Sequence, residues 1–167
     1  MTAGIGTLDL LKGGEFLIKS SAPTSTFIPE EFNEEQLMIQ GMVDDFVKNA
    51  ILPNADKIEK QQDNIAVDLL KQAAELGLLG SHMPEELGGM ELDTNTNTII
   101  CEKLGPSGSW TVSFAAHTGI GMLPILYFGT DEQKEKYLPG AIAGETKVSY
   151  CLTEPSSGSD ALAAKTR

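Results

Sequence analysis

The segment Tyr150–Asp160, YCLTEPSSGSD, holds the residues of this sequence best suited to chemistry. Pro155 fixes one backbone dihedral, the serines add hydroxyls to a run of N–H donors, and Gly158 lets the backbone approach a ligand closely. A strand ending in such a turn can hold an anion or the edge of a heterocycle. Turns built from Pro, Ser, Gly and Asp also occur in every fold class, so residue chemistry alone leaves a structural turn as the commoner reading.

The other polar candidates read more simply. Glu154 and Asp160 sit inside the turn, where a carboxylate holds backbone amides or starts a helix. His117 lies in an uncharged stretch with no second histidine or carboxylate at helical metal spacing, so it reads as a satisfied core or pocket-wall histidine, and no metal is assigned. Met122, Leu123, Leu126 and Phe128 suit an acyl channel, but helix core is their default role. Cys101 and Cys151 have no CxxC partner, which leaves neither a zinc site nor a disulfide framework and makes a reducing compartment the default.

Composition narrows the partners. The chain has 167 residues, 41% apolar and 22% charged, which suits a globular domain with a real core. Its formal net charge of -12, with Arg167 as the sole arginine, disfavours nucleic acid and anionic membranes. A small anion is still admissible, because backbone N–H groups bind phosphate whatever the global charge. The first twenty residues lack the features of a signal or transit peptide, which points to the bacterial cytoplasm, or to a mature organellar protein such as one of the mitochondrial matrix. Leu104–Thr130 carries no charged side chain, yet its serines, threonines, His117, Pro124 and glycines favour a helix buried on all sides by protein over a membrane span.

These residues must be positioned by helices. Residues 1–30 read as an arm. Asn33 with Gln36 predicts a capped helix start, followed by an apolar stripe of Ile39, Val43, Phe46, Val47 and Ala50 that Pro53 ends or kinks. A second stripe from 65 to 76 stops at Gly77 in the left-handed conformation. The Pro84–Gly89 stretch is a reversing loop, and Ile99, Ile100 and Leu104 predict a third helix closed by Gly105-Pro106. A buried helix from Trp110 to Phe128 comes next, loosened by Gly119, Gly121 and Pro124. Thr130 with Gln133 caps a short polar helix that Pro139-Gly140 terminates. Lys147–Thr153 alternates like a strand. Helices first and a strand last make an α+β order: an N-terminal helical domain over 31–145, then the start of a β domain over 146–167.

The run CLTEPSSGSD over 151–160 resembles the acyl-CoA dehydrogenase signature, with Thr153, Glu154, Gly158, Ser159 and Asp160 in register and the SSGSD wording similar to the very-long-chain branch. ELGLL over 75–79, PEELGG over 84–89, Ala116-His117 with Gly121, and FGTDEQKEKYLP over 128–139 resemble the N-terminal helical domain of that family, so the likeness covers roughly 31–167. The resemblance implies FAD bound between helices and sheet. It places Tyr150, Cys151, Leu152 and Thr153 beside the isoalloxazine, Gly158 and Ser159 at the pyrophosphate, and Ser159 at the border of an acyl-CoA substrate. It further implies fatty acyl thioester oxidation to a trans-2-enoyl-CoA, electron-transfer flavoprotein as acceptor, and a homo-oligomer. The catalytic glutamate of the family falls beyond residue 167. A non-catalytic helical assembly module on the same fold and an acyl-CoA oxidase stay open as alternatives, and the coding sequence downstream of Arg167 separates the first of these from the enzyme.

Overall fold

The computed structural model describes residue 11 and residues 13–166. The reading of the extreme N-terminus therefore lies largely outside the described residues, as does Arg167. The chain divides into two compact units, Met1–Met38 and Ile39–Arg167. In the first, the predicted arm contains three short 3-10 turns, Gly13–Leu17, Pro23–Ser25 and Pro29–Glu31. Its last turn leads into the expected capping box: Gln36 N–H donates to Asn33 Oδ1 at 2.8 Å, and Asn33 N–H donates to Gln36 Oε1 at 3.1 Å. Two orphan amides of the first turn are thereby satisfied, and α1 (Glu34–Phe46) begins.

In the second unit, α1 delivers Ile39, Val43 and Phe46 to a core, then widens into a π-helical stretch, Val47–Ile51, ahead of Pro53. Asn54 Nδ2 takes up the Ala50 carbonyl at 2.9 Å where the ring interrupts the ladder. A short α2 (Ala55–Glu59) precedes α3 (Ile65–Glu75), whose Leu69, Leu70 and Ala73 are buried. Gly77 comes next at φ 77°, the left-handed position its sequence predicts.

Helix α4 (Thr94–Leu104) starts on Asp93, which accepts from Asn95 N at 2.8 Å and Thr96 N at 3.1 Å. These bonds, led by the Thr96 hydroxyl, hold the Asp93 carboxyl below its usual range. The cap is intact above the ordinary aspartate value and is lost as the pH falls through the depressed one. Asp93→Ala is expected to cost about 1 kcal/mol, read as a lower urea midpoint at neutral pH and no difference from wild type in acid.

Beyond α4, Ser109–Phe128 is one helical run in three parts: α5 (Ser109–Ala115), a π-helical turn Ala116–Gly121, and α6 (Leu123–Phe128). Trp110 locks α5 into the core. It is fully buried, donates Nε1–H to the Ala66 carbonyl at 3.1 Å, and meets the rings of Phe46 and Phe114 at 5.8 and 5.6 Å between centroids. A second cluster gathers Met83, Met122, Leu138, Ala141 and Ile142. The last three belong to α7 (Asp131–Ile142), which begins on the expected Thr130–Gln133 capping box.

Three expectations are corrected. Pro139 does not terminate α7: the helix runs through it to Ile142 and ends at Gly144, φ 69°. Pro139 is exposed and lacks an N–H for the helical ladder, while Leu138, Ala141 and Ile142 gain burial by staying helical. The uncharged helix is not buried on all sides. Ser109–Phe128 is long and apolar enough to cross a membrane, but only 28% of its most apolar window is buried, with Val112, Ile120, Tyr127 and Phe128 exposed opposite the packed face. Finally, the described residues contain helices and no strand. Lys147–Thr153 pairs with nothing, because alternation makes a strand only where a second strand supplies its ladder, and the α+β expectation is met here only in its helical part.

Candidate functional site

The candidate segment is anchored where the two halves of the Ser109–Phe128 run meet. The π-helical turn is marked by Met122 N–H donating to the His117 carbonyl, five residues back, at 3.2 Å. It carries two residues onto the chain at Val148. His117 is 2% exposed; its Nδ1 accepts from Val148 N–H at 3.2 Å and its Nε2 lies 3.0 Å from the Ala141 carbonyl. An amide only donates and a carbonyl only accepts, so the network requires the neutral ring with its proton on Nε2. Burial holds His117 below the ordinary histidine value, with the Lys147 cation adding to this and the bond to the Ala141 carbonyl opposing it; the Val148 N–H, which needs an unprotonated Nδ1, favours the neutral ring. The sequence reading of a satisfied core histidine holds. Gly121 lies against the same residue: a Cβ on it would sit 2.8 Å from the Val148 carbonyl oxygen.

From Val148 the chain runs out over the surface. Tyr150 is 52% exposed and borders an apolar groove of about 340 Å³ with Ile120, Leu123, Pro124, Tyr127 and Phe128. Cys151, Leu152 and Thr153 come after it, all exposed, and no hydrogen bond joins the backbone amides of Tyr150–Thr153 to another described residue. Their donors are available to a ligand.

The turn then closes on itself. Glu154 and Ser157 exchange both backbone bonds, at 2.8 and 3.2 Å, and the Glu154 carboxylate reaches forward to accept from Lys165 N at 2.8 Å and Thr166 N at 2.9 Å. Hydrogen bonds from Thr166 and Lys165 lower the Glu154 pKa, so this tie is present above the ordinary glutamate value and is lost as the pH falls through the depressed one. Glu154 therefore holds the turn together, as its place in the motif suggests. Ser157 is buried and bonds the Asp160 carbonyl, whereas Gly158, Ser159 and Asp160 face outward and nothing lies within 4 Å of a Cβ built on Gly158. Tyr150–Thr153 and Gly158–Ser159 are thus exposed on either side of a self-bonded turn.

Residue patterns alone do not reveal Gly121 as a contact to Val148, nor the role of His82. The Nε2 of His82 is buried without a hydrogen-bond partner beside an apolar cavity of about 410 Å³ between α4 and α5. Burial lowers the His82 pKa.

The family model for the acyl-CoA dehydrogenase N-terminal domain matches residues 33–145. The chain belongs to the acyl-CoA dehydrogenase family. It is 49% identical over 158 residues to a probable acyl-CoA dehydrogenase of Bacillus subtilis, covering 95% of this chain and 27% of that protein. It is 37% identical to the human mitochondrial very long-chain specific acyl-CoA dehydrogenase, over 83% of this chain and 21% of that one. Among solved structures, an acyl-CoA dehydrogenase complexed with FAD from Bacillus anthracis superposes with a TM-score of 0.85 at 46% identity, covering 93% of this chain and 26% of that chain. The chain spans about a quarter of the length of these acyl-CoA dehydrogenases.

Proposed function

We propose that this chain supplies the helical wall and the flavin-facing turn of an FAD-dependent acyl-CoA dehydrogenase that converts fatty acyl-CoA to trans-2-enoyl-CoA. The observation that carries this reading is the exposed run Tyr150–Thr153, in register with the family signature, whose amides bond to no described residue and whose Tyr150 borders an apolar groove. The residues present fit the cofactor. Leu152 and Thr153 offer backbone donors and a hydroxyl to the polar pyrimidine side of the flavin, Tyr150 and Cys151 run beside its ring, and Gly158 leaves room for a pyrophosphate that Ser159 also contacts.

When bound, FAD accepts the hydride from the substrate carbon beta to the thioester. Donors at Leu152 and Thr153 would face the polar pyrimidine edge of the bound ring and favour the negative charge that reduction brings there. Ser159 borders the acyl-CoA. The proton next to the carbonyl goes to a base outside this chain, whose residues orient the reactants. Electron-transfer flavoprotein as acceptor and homo-oligomeric assembly belong to the same reading, as does a bacterial cytoplasmic or mitochondrial matrix location, for which the bacterial and mitochondrial origins of the relatives speak.

Thr153→Ala tests it. In the flavin-loaded protein, loss of a hydroxyl donor to a buried flavin acceptor is expected to weaken FAD binding by about 1–3 kcal/mol, measured by titrating apoprotein with FAD. Unchanged affinity and turnover count against the assignment.

A further inference from the structure

We propose that the π-helical turn Ala116–Gly121 is the positioning device of the flavin-facing segment: His117 holds the Val148 amide, Gly121 admits the Val148 carbonyl, and together they set the register in which Tyr150–Thr153 leave the helices. This rests on the flavin reading of that segment. The geometry is two-sided. His117 Nδ1 accepts from Val148 N–H at 3.2 Å, while a Cβ on Gly121 would fall 2.8 Å from the carbonyl oxygen and 2.9 Å from the carbonyl carbon of the same residue.

The other end of the imidazole is tied to Ala141 in the last turn of α7, at 3.0 Å, so the ring bridges two helices and the departing chain. His117 and Gly121 stand four residues apart and so share one face of the turn, and π turns recur at functional sites. Beyond Val148 no backbone bond restrains Tyr150–Thr153 among the described residues, so this clamp is the last fixed point before the proposed flavin contacts. His117 is thus a positioning residue, acting through Val148.

The clamp needs the neutral ring. Protonated Nδ1 carries a hydrogen and opposes the Val148 N–H donor to donor. Burial favours the neutral form, and Lys147 is the one charge acting on the ring among the described residues, favouring it too. The Val148 bond is therefore complete above the ordinary histidine range and is lost as the pH falls through the depressed folded-state value.

The test uses nitrogen-15 spectra and amide exchange of residues 1–167. In the wild type, the imidazole proton of His117 is expected on Nε2; a proton on Nδ1 at neutral pH overturns the proposal, whatever the variants do. His117→Asn retains an acceptor near the Nδ1 position, whereas His117→Gln reaches only toward Ala141. Val148 amide exchange is expected to be about tenfold faster in the Gln variant than in the Asn variant, and in the wild type to accelerate on acidification beyond the intrinsic pH dependence of exchange. Equal exchange in both variants overturns it. The affinity of the flavin-loaded protein for FAD should track the same order. If Val148 shows this order while FAD binds all three proteins equally, the clamp stands and the flavin reading of the segment fails.

Discussion

Trp110→Ala is expected to lower the unfolding free energy by about 3–5 kcal/mol, the largest effect of any single truncation in the helical core. Trp110 has no exposed surface and sits where α1, α3 and α5 converge. Its removal deletes contacts with Phe46 and Phe114 and opens a cavity that stiff helices fill poorly. It also strips the Ala66 carbonyl of its side-chain donor. Trp110→Phe keeps most of the volume and loses the donor, so it should recover more than half of the deficit. Urea unfolding followed by far-ultraviolet circular dichroism separates the two variants, and similar midpoints for both would assign the effect to the hydrogen bond rather than to packing.

Gly89→Ala should be nearly as damaging. A Cβ there would lie 2.0 Å from the Met83 carbonyl oxygen and 2.4 Å from the carbonyl carbon, so backbone must move. The loop cannot yield locally, because it is sewn by Met90 N to Gly80 O at 3.0 Å, Glu91 N to Met83 O at 2.9 Å and Leu92 N to Ser81 O at 2.8 Å. Met83 is also fully buried in the second cluster. A cost of about 3 kcal/mol is expected, whereas Gly88→Asn, at a left-handed position with no atom within 4 Å, should be tolerated. Thermal melts of the two variants decide the comparison.

The parts of the fold that sequence makes legible are those decided within a few residues. Both capping boxes, Asn33 with Gln36 and Thr130 with Gln133, form as their spacing predicts, because the two partners lie within one helical turn. Gly77 ends its helix for the same local reason. The misreadings are non-local. Pro139 stays helical because burial of Leu138, Ala141 and Ile142 against residues far away in sequence outweighs the loss of one hydrogen bond of the helical ladder. Lys147–Thr153 has a strand's alternation, but no described residue supplies a second strand to pair with it, which the segment itself cannot reveal. The uncharged helix hides its two faces because Val112 and Ile120 are as apolar as the buried Phe114.

The site divides in the same way. The YCLTEPSSGSD run is visible as a motif, and the role of Glu154 in holding its turn agrees with its place in that motif. The clamp that aims the segment is invisible in sequence, since His117, Ala141 and Val148 meet only after α5, α6 and α7 have packed.

The most direct measurement joins residues 1–167 in frame to the remaining part of the Bacillus subtilis relative and records the visible spectrum of the purified protein, before and after palmitoyl-CoA is added anaerobically. The expected product is yellow, holds one FAD per chain, and bleaches with substrate. A protein that melts cooperatively yet retains no flavin would contradict the assignment of Tyr150–Ser159 to the cofactor.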